Sequence, residues 1–270
     1  MTEFATPPPL VTRQQGPVLR VQLHRPALHN AFDDQLIAQL TLALQQAGSD
    51  ERVRVLVLEG AGPSFSAGAD LNWMRGMAQA SEADNQTDAL ALARLMRVLD
   101  ELPKPTIARV QGAAFGGGVG LVACCDIAIG VEEAKFGLTE SKLGLLPAVI
   151  SPYVISAIGA RQARRWFASA EIFDAGQALR MGLLHQVVEA GQLDAAVDRQ
   201  VALLLKAGPV AVAQAKQLVR SVVDAPGDRD ALDQANATLI ARLRVSAEGQ
   251  EGLSAFLDKR PPAWTMEDRS

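Results

Sequence analysis

The chain is short of the residues on which several kinds of chemistry depend. It has three histidines, His24, His29 and His185, and none of them has the spacing of a helical metal site, so zinc chemistry has no natural seat and no metal is expected. Its two cysteines, Cys124 and Cys125, are neighbours. Adjacent thiols suit neither an ordinary disulfide nor a chelating pair, and no flanking basic group favours a thiolate nucleophile, so they are expected as buried thiols in a reducing cytoplasm. A formal net charge of -4 lacks the basic excess of a nucleic-acid binder. No apolar run reaches bilayer length, so no membrane association is expected. The opening MTEFATPPPLVTRQQG has neither a basic start nor an apolar stretch, which makes residues 1–16 an expected disordered lead-in rather than a signal peptide. Gly-Lys-Ser/Thr is absent, GGGVG lacks the dinucleotide spacing, and GPSFS lacks the second glycine of a hydrolase elbow.

What the chain does have is aliphatic. With 270 residues and 49% hydrophobic content it can bury a large core. Residues 18–23, 53–58, 106–110 and 126–130 read as short β-branched or aliphatic strands. Between the first two, Leu36, Leu40 and Leu44 lie four apart behind Asp33 and Asp34, a capped amphipathic helix. Leu92, Leu95, Met96, Leu99 and Leu102 keep helical spacing until PKP stops them, and an apolar helical segment follows the glycines through Cys125. Strands alternating with helices predict an α/β fold with parallel pairing. From about Asp194 the strand signals stop. The division read here is a lead-in at 1–16, an α/β core at 17–193 and a helical part at 194–270 suited to packing on a partner subunit.

Two small-residue turns each follow a strand: EGAGPSFSAGADLNWM after 53–58, and VQGAAFGGGVGL after 106–110. Both expose backbone N–H groups at the C-terminal ends of strands, and the second opens a helix, where amides are unpaired and the dipole favours negative charge. Either alone is an ordinary tight turn; two converging N–H donors make an oxyanion hole. Asp70 reads as the cap of a helix starting at Leu71, Asp126 as the maker of a structural hydrogen bond, and Glu132 and Glu133 as surface residues.

The segments FSAGADL, GGG and CDIAI, followed by FGLTESKLGLLP, resemble the crotonase, or enoyl-CoA hydratase/isomerase, superfamily, and the likeness runs from LHRPALHNAF to EGLSAFLDKRPP. It implies a spiral of ββα units followed by helices that drive assembly into a trimer or hexamer. It also implies an acyl-CoA thioester substrate, with coenzyme A part of the substrate and no separate cofactor. By motif position, Ala69 and Gly117 become the oxyanion donors, with Gly68, Asp70 and Gly116 beside them. Ala27, Ala67 and Leu71 would line the channel for adenine and pantetheine, and Lys259, with Arg260, would approach the adenosine phosphates, often from a neighbouring subunit.

Family hydratases generally carry two glutamates. Glu140 stands at one position and Gly120 at the other, so a second carboxylate is missing from the implied substrate site. SAGADLNWMRGM and LGLLPAVISPYVISAIGARQARR are similar to the bacterial methylglutaconyl-CoA and isohexenylglutaconyl-CoA hydratases. That likeness implies hydration of a branched or carboxylated enoyl-CoA such as 3-methylglutaconyl-CoA, with Arg75, Lys142 or Arg109 as candidates to meet a distal carboxylate. A double-bond isomerase using Glu140 alone and a noncatalytic acyl-CoA-binding protein are the alternatives.

Overall fold

The structure, a computed structural model, describes residues 8–225 and 227–265. Strands β1 (Leu10–Gln15) and β2 (Val18–Leu23) form a hairpin, and a 3-10 turn (Pro26–Leu28) leads into helix α1 (Asp34–Ser49). The next turn of chain holds β3 (Val55–Gly60), β4 (Ser64–Ser66), α2 (Leu71–Met77) and α3 (Glu82–Asp100). A second holds β5 (Thr106–Val110), β6 (Ala113–Phe115) and α4 (Gly117–Cys124); a third holds β7 (Ile127–Val131), β8 (Lys135–Gly137), a 3-10 turn (Glu140–Leu143) and α5 (Ser151–Ser169). Then come β9 (Ile172–Asp174), α6 (Ala175–Arg180), β10 (Gln186–Val188), α7 (Leu193–Leu205), α8 (Pro209–Val223), α9 (Arg229–Val245) and α10 (Ala247–Leu257).

One sheet runs β1-β2-β3-β5-β7-β10 and a second β4-β6-β8-β9. All neighbours pair in parallel except β1 with β2 and β8 with β9. Each turn of chain gives one strand to each sheet and then a helix, the expected ββα spiral. The cause is burial: every residue of β3 is buried, as a parallel strand covered on both faces requires. Leu36, Leu40 and Leu44 of α1 and Leu95, Met96 and Leu99 of α3 are buried on the same core. Asp33 caps α1 by accepting from the Leu36 N–H at 2.8 Å, as its sequence position predicts.

Two expectations change. Residues 10–15, read as lead-in, form an edge strand in register from Leu10 opposite Leu23 to Gln15 opposite Val18; residues 1–7 of that expected segment lie outside the described residues. The strand is polar and mostly exposed, so no alternation announces it. The boundary at 193/194 falls at the start of α7, whose Leu193, Ala196, Val197 and Val201 are buried and which packs on the larger sheet.

Asp126 has the structural role assigned to it. It accepts from the Thr106 N–H and hydroxyl, both at 2.8 Å, and from Lys216 Nζ at 2.9 Å, tying α8 to the core. Cys124 and Cys125 are free and buried; burial pushes the Cys124 thiol well up and the Cys125 thiol up to about 12, so both stay protonated near neutral pH. Among the described residues no helix is long and apolar enough to cross a membrane.

Candidate functional site

The first small-residue turn is built around Phe32. The Phe32 N–H donates to Gly68 O at 2.6 Å and the Asp70 N–H donates to Phe32 O at 2.7 Å, a parallel bridge that brackets Ala69. In such a bridge the bracketed residue directs its own N–H to the other side. The turn needs Gly68, whose φ is 84° and whose added Cβ would sit 2.9 Å from Phe115 O, so the two turns touch at this point. Asp70 closes the turn by accepting from the Asn72 and Trp73 N–H groups at 2.8 and 3.2 Å. Burial by itself raises the Asp70 carboxyl, but those two N–H groups and Arg25 outweigh it and hold the group below its ordinary value.

The second turn is bare because five residues press on it. Gly116, at φ 48°, faces Glu140 Oε1, 3.2 Å from where a Cβ would stand. A Cβ on Gly117 would lie 2.6 Å from Phe32 Cε2, and one on Gly118 2.5 Å from Ser66 O. A Cβ on Gly120 would overlap Ile150 Cγ2 and come within 3.2 Å of Met96 Cε. Helix α4 starts at Gly117, so that N–H belongs to the unpaired first turn. Among the described residues, neither the Ala69 nor the Gly117 N–H donates to a protein acceptor.

Glu140 opens the 3-10 turn after β8, which is fixed to α5 by the Ser141 hydroxyl donating to Phe167 O at 2.9 Å. The carboxyl is half-buried, and its Oε2 is enclosed without a hydrogen-bond partner among the described residues. Burial pushes it above its ordinary value, opposed by its own backbone N–H. A cavity-lining carboxyl oxygen with no protein partner is placed to meet a water or a bound molecule.

Glu140 lines a cavity of about 610 Å³ together with Ala67, Gly68, Ala69, Leu71, Gly116 and Gly117, so seven of the sequence-predicted residues come together. Two free N–H donors and one unsatisfied carboxyl along the same cavity can stabilise an oxygen that gains negative charge and move a proton at a nearby carbon. Among the described residues lining it, Glu140 is the only ionisable one; Trp73, Leu92, Leu143, Leu145, Leu146 and Ile150 contribute apolar wall.

Four predicted residues do not line the cavity. Gly120 is buried against Ile150, so an aliphatic side chain stands where the resemblance implies a second carboxylate. Asp70 acts behind the wall as a helix cap, Ala27 is exposed in the turn before α1, and Lys259 lies exposed just past α10. Neighbouring Arg260 is engaged by Glu251 at 2.7 and 2.8 Å. The three cations expected to meet a distal carboxylate are also elsewhere: Arg109 holds Asp194 at 2.6 Å, Arg75 holds Asn72 at 2.9 Å, and Lys142 is exposed outside the lining. Phe32, Arg25 and Ile150 escaped the sequence reading. Only the apolar residue just ahead of the Asp33 cap hinted at the first, and nothing local signals the other two.

The family model described as Enoyl-CoA hydratase/isomerase matches residues 13–267. The 2,3-dehydroadipyl-CoA hydratase of Escherichia coli is 34% identical, over 94% of this chain and 96% of its own. The crotonyl-CoA hydratase of Syntrophomonas wolfei is 29% identical, over 93% and 95%. The crystal structure of an enoyl-CoA hydratase from Shewanella pealeana superposes with a TM-score of 0.91 at 48% identity, covering 95% of this chain and 96% of that one.

Proposed function

The chain belongs to the enoyl-CoA hydratase/isomerase family, and from that membership we propose that it adds water across the α,β double bond of a branched acyl-CoA thioester. The observation that carries the reading is the enclosed, partnerless Glu140 oxygen on the same cavity as the free Ala69 and Gly117 N–H groups. In this proposal the two N–H groups receive the thioester oxygen. Glu140, as carboxylate, takes a proton from water as the hydroxyl bonds to Cβ; the double-bond electrons move to the thioester oxygen as an enolate, and the protonated Glu140 returns the proton to Cα. Atoms and charge balance with one carboxylate. Only the interactions that strengthen as the enolate forms speed the step.

The acyl end follows from the wall. A terminal carboxylate in a cavity with no cation among its described lining residues would be desolvated without a partner, which costs several kcal/mol. We therefore place an apolar branched enoyl-CoA ahead of a carboxylated one such as 3-methylglutaconyl-CoA, which the local sequence likeness and the Escherichia coli relative named for 2,3-dehydroadipyl-CoA support. The test follows loss of the conjugated thioester absorbance with crotonyl-CoA, 3-methylcrotonyl-CoA and 3-methylglutaconyl-CoA. The expected result is a product heavier by one water, with kcat/KM for the apolar branched substrate about tenfold or more above the carboxylated one. The reverse order would return the carboxylated reading. An unchanged mass with a migrated double bond would make the chain an isomerase, and tight binding without turnover would make it a binding protein.

Assembly into trimers is proposed with the same reading, supported by apolar side chains left open on the C-terminal helices, including Val219, Val223, Ile240, Phe256 and Leu257. Light scattering on the eluting protein should return three or six times the mass of one chain.

A further inference from the structure

The two N–H donors come from turns far apart in the sequence, and one residue that bonds to neither Ala69 nor Gly117 connects them to a common frame. Arg25 is largely enclosed, with a side chain 17% exposed, and lies outside the cavity lining. Its Nη1 donates to Ala31 O at 2.6 Å, while Nη2 bridges Asp33 at 2.9 Å and Asp70 at 3.1 Å. Ala31 and Asp33 flank Phe32 on one side of the bridge, and Asp70 follows Ala69 on the other. The guanidinium therefore staples both sides of the pairing that aims the Ala69 N–H. The same Phe32 lays its ring against Gly117, which carries the second donor.

We infer that Arg25 is a positioning residue that sets the spacing of the Ala69 and Gly117 N–H groups through Phe32, an inference that rests on these being the oxyanion donors proposed above. A planar fork with several donors suits this place, since it meets a carbonyl and two carboxylates at once. Its charge has a second use. The Asp33 and Asp70 carboxylates lie one residue from Phe32 and Ala69, and without a cation between them they would repel each other across the bridge and oppose the enolate charge building beside it. Preorganised donors work only when held where charge develops, so loosening the frame should tell on the chemical step more than on binding.

The test compares wild type with Arg25→Met and Arg25→Lys by thermal melting, steady-state hydration and a spectroscopic probe that needs no turnover. The probe is an acyl-CoA whose enoyl group is conjugated to an electron-donating aryl ring; its absorbance moves to the red when the thioester oxygen accepts hydrogen bonds. Arg25→Met is expected to bind the probe within about threefold of wild type, lose most of the red shift, and lower kcat by about 10- to 100-fold. Arg25→Lys should fold at least as well as Arg25→Met and recover only part of the shift, because an ammonium cannot span the three anchors. A full red shift and unchanged kcat in folded Arg25→Met would overturn the inference, leaving Arg25 a matter of stability alone. So would wild-type binding of the probe without any red shift. If Arg25→Met does not fold, Arg25→Lys decides: a full shift and wild-type kcat overturn the inference. A wild-type red shift without hydration would sink the hydratase reading while leaving the positioning role to stand or fall on the variants.

Discussion

Replacing Glu140 by glutamine is expected to lower kcat for hydration by about 100-fold to 10,000-fold, the range that a well-placed acid or base contributes, while KM for the CoA thioester changes little. Glutamine keeps the shape beside Gly116 and removes the only ionisable group among the described lining residues. The stability effect should run the other way. Burial raises the folded-state pKa of Glu140, so relative to an ordinary glutamate it favours the folded state below the unfolded-chain pKa. That advantage is lost as pH rises through the folded-state value, and at neutral pH the buried ionised form is a burden the variant does not carry. Glu140→Gln should therefore melt no lower than wild type at pH 7, with the difference narrowing on acidification. The wild-type rate should fall, on the acidic side, at a pH above the ordinary glutamate range, and this limb should be missing from any residual activity of the variant. Hydration by Glu140→Gln within about threefold of wild type would remove Glu140 from the chemistry; a large drop in melting temperature with equal loss of binding would make it a structural residue instead.

How far the sequence could be read depended on the distance over which each feature is decided. Helix α1 and its Asp33 cap are local, and the spacing of Leu36, Leu40 and Leu44 shows them directly. Strand β3 is wholly buried and opens on the aliphatic run Val55 to Leu58, so it was legible apart from a shift of two residues at its ends. Strands β4, β6 and β8 are three residues each, too short for a period of two to register, yet they carry the second sheet on which the site is mounted. That Ala69, Gly117 and Glu140, the proposed donors and proton carrier, line one cavity was legible through small residues and motif position. The partners of charged groups were not: Arg109 shows in sequence as a free cation, and only folding brings Asp194, 85 residues later, to within 2.6 Å of it. Arg25 and Asp70 are likewise 45 residues apart, and their contact at 3.1 Å is what turns an ordinary arginine into part of a frame.

Gly120 is the sharpest case of such nonlocal information, because the family resemblance implies a glutamate there while the fold shows the space beside it taken by Ile150. Gly120→Glu is expected to lower stability by about 3 kcal/mol or more, since its side chain must displace Ile150, which is 3% exposed, and carry a carboxyl into an aliphatic contact. Hydration of the native substrate should fall rather than rise. Urea denaturation and the absorbance assay read both effects. Ile150→Ala alone should cost about 2 to 5 kcal/mol through the cavity it leaves. The double variant should be more stable than the sum of the two changes predicts, because the alanine makes the room that the glutamate needs. If Gly120→Glu by itself folds like wild type and hydrates more than tenfold faster, then Ile150 is a yielding side chain and the site is one carboxylate short. If only the double variant gains activity, the second carboxylate and the Ile150 wall are alternative ways to fill one position. The aliphatic wall would then be the form this chain has taken, with its acyl end shaped by Ile150 and its proton handled by Glu140 alone.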